Sequence, residues 1–363
     1  MTGSLGRCLP KFLVLLLALN WIIVTHAEAR ITEQECTTKN FADRFGAKRK
    51  QGKSNFCYSF SAADLYSEAL GVSTTTPISA LYCGTQYISM TPAEAERANT
   101  FIQYDQSSTT LLENINHRSN VMNGKSLSDR AGPLGGHTDL LLAHLLSKTK
   151  LCSEADVPSE NNKDDYFMNS MEDLAGEKEA IRFLKEKQKA FKDPRKVAQA
   201  CPLNVLYQEG ETFDALQAKV GDYVADQLKK NVEAKCTLEP NAKNLSVHMR
   251  AFKDDRPEFS ESASYMMSVL DQDRPFVLHF NACITKDMDG CKKEYKEHAV
   301  VVMGRMWSPD KKGGRCLLQM RDSASQNCEA SRSSVKCDKK TGIWQADFDE
   351  ITKQNNDVIW IKK

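Results

Sequence analysis

Gln51-Gly52-Lys53-Ser54-Asn55-Phe56-Cys57-Tyr58-Ser59-Phe60-Ser61 is the stretch whose reading decides the fold. Its first half is polar and loop-like. Beyond it, Phe60, Ala63, Tyr66 and Leu70 recur at helical spacing, the period of a helix with an apolar face. Cys57 therefore stands at a helix N-terminus, where free N–H groups and the positive end of the dipole favour thiolate over thiol. Six residues upstream, Gln51 carries a side-chain amide, a neutral donor suited to a developing oxyanion. An isolated cysteine opening a helix is more often a buried core residue, so the run alone decides nothing about chemistry.

Two distant segments add to it. Glu297-His298-Ala299-Val300-Val301-Val302-Met303-Gly304 sets a histidine at the head of a β-branched strand that ends in glycine. Leu317-Leu318-Gln319-Met320-Arg321-Asp322-Ser323 is a strand-like run closing on a carboxylate. A lone histidine before an apolar strand is usually structural. In the order cysteine, histidine, acid, the three segments supply the nucleophile, base and orienting group of a cysteine hydrolase.

On these residues the chain resembles the papain family of cathepsin-like cysteine peptidases, as a divergent and enlarged member. The family's active-site run reads Gln, Cys six residues on, then an aromatic, a small residue, Phe and Ser; here these are Gln51, Cys57, Tyr58, Ser59, Phe60 and Ser61. Its Gly-Cys-x-Gly-Gly run, whose second and third glycines line the substrate cleft, is similar to Gly132-Pro133-Leu134-Gly135-Gly136. The helix pattern Leu140–Leu146 and the segment Leu151–Pro158 follow in the family's order. Arg274-Pro275-Phe276-Val277-Leu278-His279-Phe280 resembles the strand preceding the histidine, and Met320-Arg321-Asp322-Ser323 stands where Lys-Asn-Ser-Trp is expected. The matching pieces span most of the chain and cover well under half of its residues.

The departures are themselves informative. The family pairs a cysteine three before the nucleophile with the one in its glycine run; here those positions are Ser54 and Pro133, as loss of one disulfide would leave them. Asp322 replaces the orienting asparagine and Ala324 the tryptophan that shields it. A carboxylate can hold an imidazole in the required tautomer. The Cys57 to His298 gap is about 240 residues, against roughly 130–150 in papain-like enzymes, so extra sequence is inserted between the two halves of the site.

The resemblance implies an α+β, papain-like two-lobe fold: a helical lobe, and a β-barrel-like lobe holding 275–281, 298–304, 315–321 and 357–361. The expected division is a signal peptide over 1–29 and a peptidase domain over 30–363. Within that domain, 30–160 is the mainly helical lobe, 160–255 a helical insertion and 256–363 the β-rich lobe. Residues 84–130, rich in Ser, Thr and Asn, read as a long surface excursion. In the insertion, Ala180-Ile181-Phe183-Leu184 and Phe213-Leu216-Val220-Val224-Leu228 each make one apolar stripe, the mark of helices packed on a core.

Composition bounds the partners. The chain has 363 residues, 41% of them hydrophobic, and a net charge of +1, which gives no reason to expect nucleic acid or a membrane surface. No Walker-type loop, His-Glu-x-x-His or paired Cys-x-x-Cys is present, arguing against nucleotide and zinc chemistry. His137 and His144 lie two helical turns apart without nearby carboxylates or thiols, and no metal or cofactor is expected. Arg7 and Lys11 precede an apolar core, Phe12 to Val24, too short for a membrane span, so a secreted or periplasmic destination follows. Of twelve cysteines, Cys8 leaves with the signal and Cys57 is the proposed thiol. The other ten suit five disulfides in an oxidising compartment; Cys283 with Cys291, and Cys328 with Cys337, bracket polar loops. By resemblance, Cys83 pairs within the first lobe. Asn244-Leu245-Ser246 is a glycosylation acceptor in a eukaryotic host.

The implied function is a secreted cysteine peptidase working through a Cys57–His298 dyad and a thioester. Asp322 orients His298, Gln51 serves the oxyanion, and Gly135 and Gly136 pair through backbone with an extended protein or peptide substrate. About twenty residues separate Ala29 from Gln51, too few for a folded helical propeptide of typical size, so the expected enzyme either needs no zymogen stage or is restrained by a separate protein inhibitor. Alternative readings are a papain-fold amidase acting on cell wall, and a weakly active or inactive papain-like binding protein.

Overall fold

The computed structural model describes residues 31–52, 56–105, 136–160, 166–176, 179–185, 212–252, 259–281, 297–310, 313–324, 335–338, 340–352 and 356–363. At its centre is α1 (Cys57–Ala69), in which every residue from Cys57 to Glu68 is buried. A helix apolar on one stripe can bury only that stripe; this one is closed in on all sides, so it lies inside the molecule. It packs against α2 (Ala80–Ile88), α4 (Thr138–Leu146) and the sheet strand β5 (Glu297–Ser308). Ser79 caps α2 by accepting from the Tyr82 N–H, and Thr91 and Glu94 form a reciprocal capping box at the start of α3 (Pro92–Asn99), satisfying donors that a helix start leaves open.

The strands join one nine-stranded sheet. Its strands are β1 (Lys39–Asn40), β2 (Ile102–Tyr104), β3 (Ser246–Phe252), β4 (Phe276–Asn281), β5, β6 (Arg315–Arg321), β7 (Val335–Cys337), β8 (Ile343–Asp347) and β9 (Asn356–Lys362). The order is β2-β3-β9-β4-β5-β6-β8-β7, with β1 added beside β5. Among the described residues only β2 and β3 run parallel. Ala299 through Met303 are all buried in sequence along β5, which is why its apolar residues form a continuous run rather than alternating. The ladder between β5 and β6 shifts register between Val302 and Gly304. At Gly304 (φ +154°) β1 passes so close that a Cβ would lie 2.1 Å from the Lys39 carbonyl oxygen, a position only glycine can hold.

The helices α5 (Tyr166–Ala175) and α6 (Phe213–Glu233) pack on each other and against α2. Leu216, Val220, Val224 and Leu228 are buried along one stripe of α6. Polar contacts fix its seat: Lys229 Nζ meets Glu94 at 2.8 Å and Gln86 donates to Glu233 at 3.0 Å. Among the described residues the other α-helices are α7 (Phe259–Asp271) and the short α8 (Phe348–Thr352), and Ala42–Arg44 forms one 3-10 turn.

Several expectations need correction. Among the described residues the strand pairings form an open path, not the closed ring of a barrel. The helical reading of 160–255 fails at its end, because 246–252 is β3 and pairs along its whole length with β9. The surface excursion expected from 84 onward is, as far as Asp105, the end of α2, then α3 and β2, with Gln86, Tyr87, Met90 and Ile102 buried; short polar elements seated on a core look like loop in composition. Cys83 is a free thiol, buried on α2, not a half-cystine, so the remaining count is odd and five bridges cannot form. Two bridges lie wholly within the described residues: Cys36–Cys316 ties the N-terminal segment to β6, and Cys152–Cys236 ties the stretch after α4 to the end of α6. Cys337 is also bonded, to a residue outside them. The signal segment, Gly135, Cys201, Cys283, Cys291 and Cys328 lie outside the described residues. No described helix is long and apolar enough to cross a membrane.

Candidate active site

Phe56 sets the start of α1. Its ring packs against Tyr58 and Phe167, at 5.5 and 4.8 Å between centroids, and it offers no side-chain cap to the first turn. Cys57 is thus the first residue of a buried helix whose leading N–H groups have no side chain of the cap residue to serve them. One turn on, Ser61 Oγ donates to the Ala299 carbonyl at 3.0 Å. This bond turns the Cys57 face of α1 toward the head of β5, where His298 immediately precedes Ala299.

The structure brings the run carrying Gln51 and Cys57 together with His298 at the head of β5 and Asp322 at the end of β6. Cys57 and His298 lie close enough for each to act on the other's titration, His298 lowering the thiol and Cys57 helping to raise the imidazole. His298 Nε2 lies 2.9 Å from Asp322 Oδ1, with both side chains buried. A ring with Nε2–H given to a carboxylate keeps Nδ1 as its other working nitrogen. Asp322 follows the last residue of β6, and its Oδ1 also accepts the Ala324 N–H at 2.8 Å, so the backbone that replaces the missing tryptophan still fixes the carboxylate. Gln51 is held twice by the next residue: its N–H donates to the Ser323 carbonyl at 3.1 Å, and its Oε1 accepts from Ser323 Oγ at 2.7 Å. That second bond decides which end of the carboxamide is the donor.

The electrostatics follow from this packing. Burial pushes the Cys57 thiol up, but the hydrogen bond and charge of His298, the Ala299 N–H and the charge of His279 outweigh it and hold the thiol below its ordinary value. Burial would likewise lower His298; the charge of Asp322 and its hydrogen bond, helped by Cys57, reverse this and raise the imidazole from 6.5 to about 9. Both directions favour a thiolate beside an imidazolium.

Gly136 is buried, and a Cβ there would fall 2.5 Å from the Tyr58 ring. The close approach of that ring accounts for the missing side chain at this position. Two further residues support the site: Ser323 holds Gln51, and His279 acts on the Cys57 thiol. Ser323 was visible in the run after Asp322 but carried no assigned role. His279, buried on β4, sits opposite Ala299 in the ladder, and its Nε2 is 2.7 Å from Thr138 Oγ1 at the start of α4. A histidine inside an otherwise apolar strand was the signal for it.

No family model matches the chain, and no curated protein does. Solved structures similar to it include SERA5E from Plasmodium falciparum, at 12% identity over 89% of this chain and 92% of that one, with a TM-score of 0.42. A digestive procathepsin L 3 of the Tenebrio molitor larval midgut matches at 9% over 91% and 73%, TM-score 0.38. PepW from Lactobacillus rhamnosis HN001 matches at 12% over 99% and 93%, TM-score 0.39.

Proposed function

We propose that the chain is a papain-like cysteine peptidase that hydrolyses peptide bonds of protein or peptide substrates. The observation that carries this reading is the buried His298–Asp322 pair at 2.9 Å acting on the Cys57 thiol at the start of α1, with Gln51 bonded to Ser323, the residue after Asp322. The thiolate of Cys57 attacks the peptide carbonyl carbon, and the oxyanion that forms is met by the Gln51 amide and the Cys57 backbone N–H. The His298 imidazolium gives its proton to the leaving amine, and the C–N bond breaks to leave a thioester. His298, now neutral, draws a proton from water as the water attacks the thioester, and Cys57 is regenerated. Asp322 keeps the imidazole in one tautomer and favours its charged form. The two described disulfides support work in an oxidising compartment, secreted or periplasmic.

The direct test is mass spectrometry after treatment with a thiol-directed, papain-selective inactivator at neutral pH. Cys57 is expected to be modified in the wild-type protein, and at least about tenfold more slowly in His298→Ala, whose thiol has lost the partner that lowers its pKa. Equal labelling of both proteins, or none of the wild type, would remove the dyad from the reading.

A further inference from the structure

Behind the site, away from the sulfur, lies a buried cluster of charge that the mechanism does not use. Asp64, two turns along α1 from Cys57, accepts from two arginines: Arg49 Nη2 at 2.5 Å on one carboxylate oxygen and Arg321 Nε at 2.7 Å on the other. The three side chains are nearly inaccessible, 7% exposed for Arg49, 11% for Asp64 and 9% for Arg321. Glu154 contacts Arg49 as well, which balances two positive with two negative charges. Buried charge is costly unless it is paired and hydrogen bonded, and here the pairing is complete. Arg321 spends its other two nitrogens on the Gly46 and Ala47 carbonyls, at 3.0 and 2.5 Å, and Arg49 gives one more bond to the Ile78 carbonyl.

The cluster matters because of what its members adjoin. Arg49 is two residues before Gln51, Asp64 shares a helix with Cys57, and Arg321 immediately precedes Asp322. Arg321 is also the last ladder residue of β6, opposite Val301, three residues along β5 from His298. The circuit closes through the Gln51 N–H bond to Ser323. Three segments that are remote in sequence therefore meet in one fixed fork of guanidinium and carboxylate, whose planar geometry sets orientation as well as distance.

We infer that Asp64 is a positioning residue for this site: with Arg49 and Arg321 it sets the mutual placement of the segments carrying Gln51, Cys57 and Asp322, without touching substrate. The catalytic meaning of that placement rests on the peptidase reading; the placement itself does not. The charge of Asp64 is what holds both forks, so its amide isostere can satisfy only part of them. Freed of its anchor, the end of β6 shifts, and the Asp322–His298 bond lengthens.

The test follows the titration of His298 by NMR of histidine-labelled protein, alongside kcat and KM on a peptide substrate. The variants are Asp64→Asn and, as a control for lost stability elsewhere, Glu94→Gln, which breaks the contact with Lys229 far from the site. Asp64→Asn is expected to lower the His298 midpoint by about one unit and kcat by about 10- to 100-fold with KM little changed, while Glu94→Gln changes neither. An unchanged His298 midpoint in a folded Asp64→Asn protein overturns the inference and makes the cluster a fold element only. Should Asp64→Asn not fold, Arg321→Lys decides, since a single ammonium cannot serve Asp64, Gly46 and Ala47 together; the same shift is expected, and its absence has the same force. Because the NMR midpoint needs no turnover, a wild-type protein without peptidase activity would sink the peptidase reading and leave this inference to be judged on the midpoint.

Discussion

Cys57→Ala is expected to lower peptide hydrolysis by about 10⁴-fold or more, leaving the fold intact. On the proposed mechanism the sulfur forms the covalent acyl bond, and His298, committed to Asp322 through one ring nitrogen, does not replace it. The side chain is small and buried at the start of a helix anchored by Phe56 and Ser61, so its loss costs about 1 kcal/mol or so of packing. Steady-state assays on an unfolded protein substrate, with circular dichroism as the fold control, give the answer. Activity within tenfold of wild type would mean that the sulfur is not the nucleophile.

The second large effect concerns pH. His298 must be protonated for the thiolate–imidazolium pair to exist, and Asp322 is the cause of its raised pKa of about 9. The pair is therefore present from the lowered pKa of Cys57 up to about 9, and activity falls on the alkaline side as His298 loses its proton. In Asp322→Asn the amide oxygen can still accept from Nε2–H, but the negative charge is gone. The imidazole then returns to 6.5 or lower. With the imidazole at 6.5, the protonated fraction at pH 8 drops about thirtyfold, and kcat/KM is expected to drop with it, whereas near pH 6 the loss is less than about twofold. The sign for stability is the same: a raised histidine pKa stabilises the folded state below its unfolded value and loses that contribution as pH rises through about 9. A kcat/KM profile whose alkaline limb is unmoved in Asp322→Asn would exclude Asp322 from the role.

Much of this arrangement was legible in the chain because its parts sit on strongly periodic segments. The Cys57 helix, the His298 strand and the run ending at Asp322 each declare their element through spacing, and α1, β5 and β6 fall on them. What stayed hidden has physical reasons. Asp64 lies within a helical pattern, where a charge usually marks the solvated face; only the distant Arg49 and Arg321 make its burial tolerable. The three-residue β2 is too short to alternate, and β3 follows a charged helix whose composition masks it. Cysteine parity does not reveal Cys83, because a thiol buried on α2 is simply a small apolar side chain that need neither pair nor react.

The Cys36–Cys316 bridge spans 280 positions of the chain. Any single backbone nick between those two residues therefore yields fragments that remain one covalent species. Such a clipped, two-chain form migrates as a single band on a non-reducing gel and separates only after a reductant is added. That staple turns a severed loop into a scar and not a dismantling.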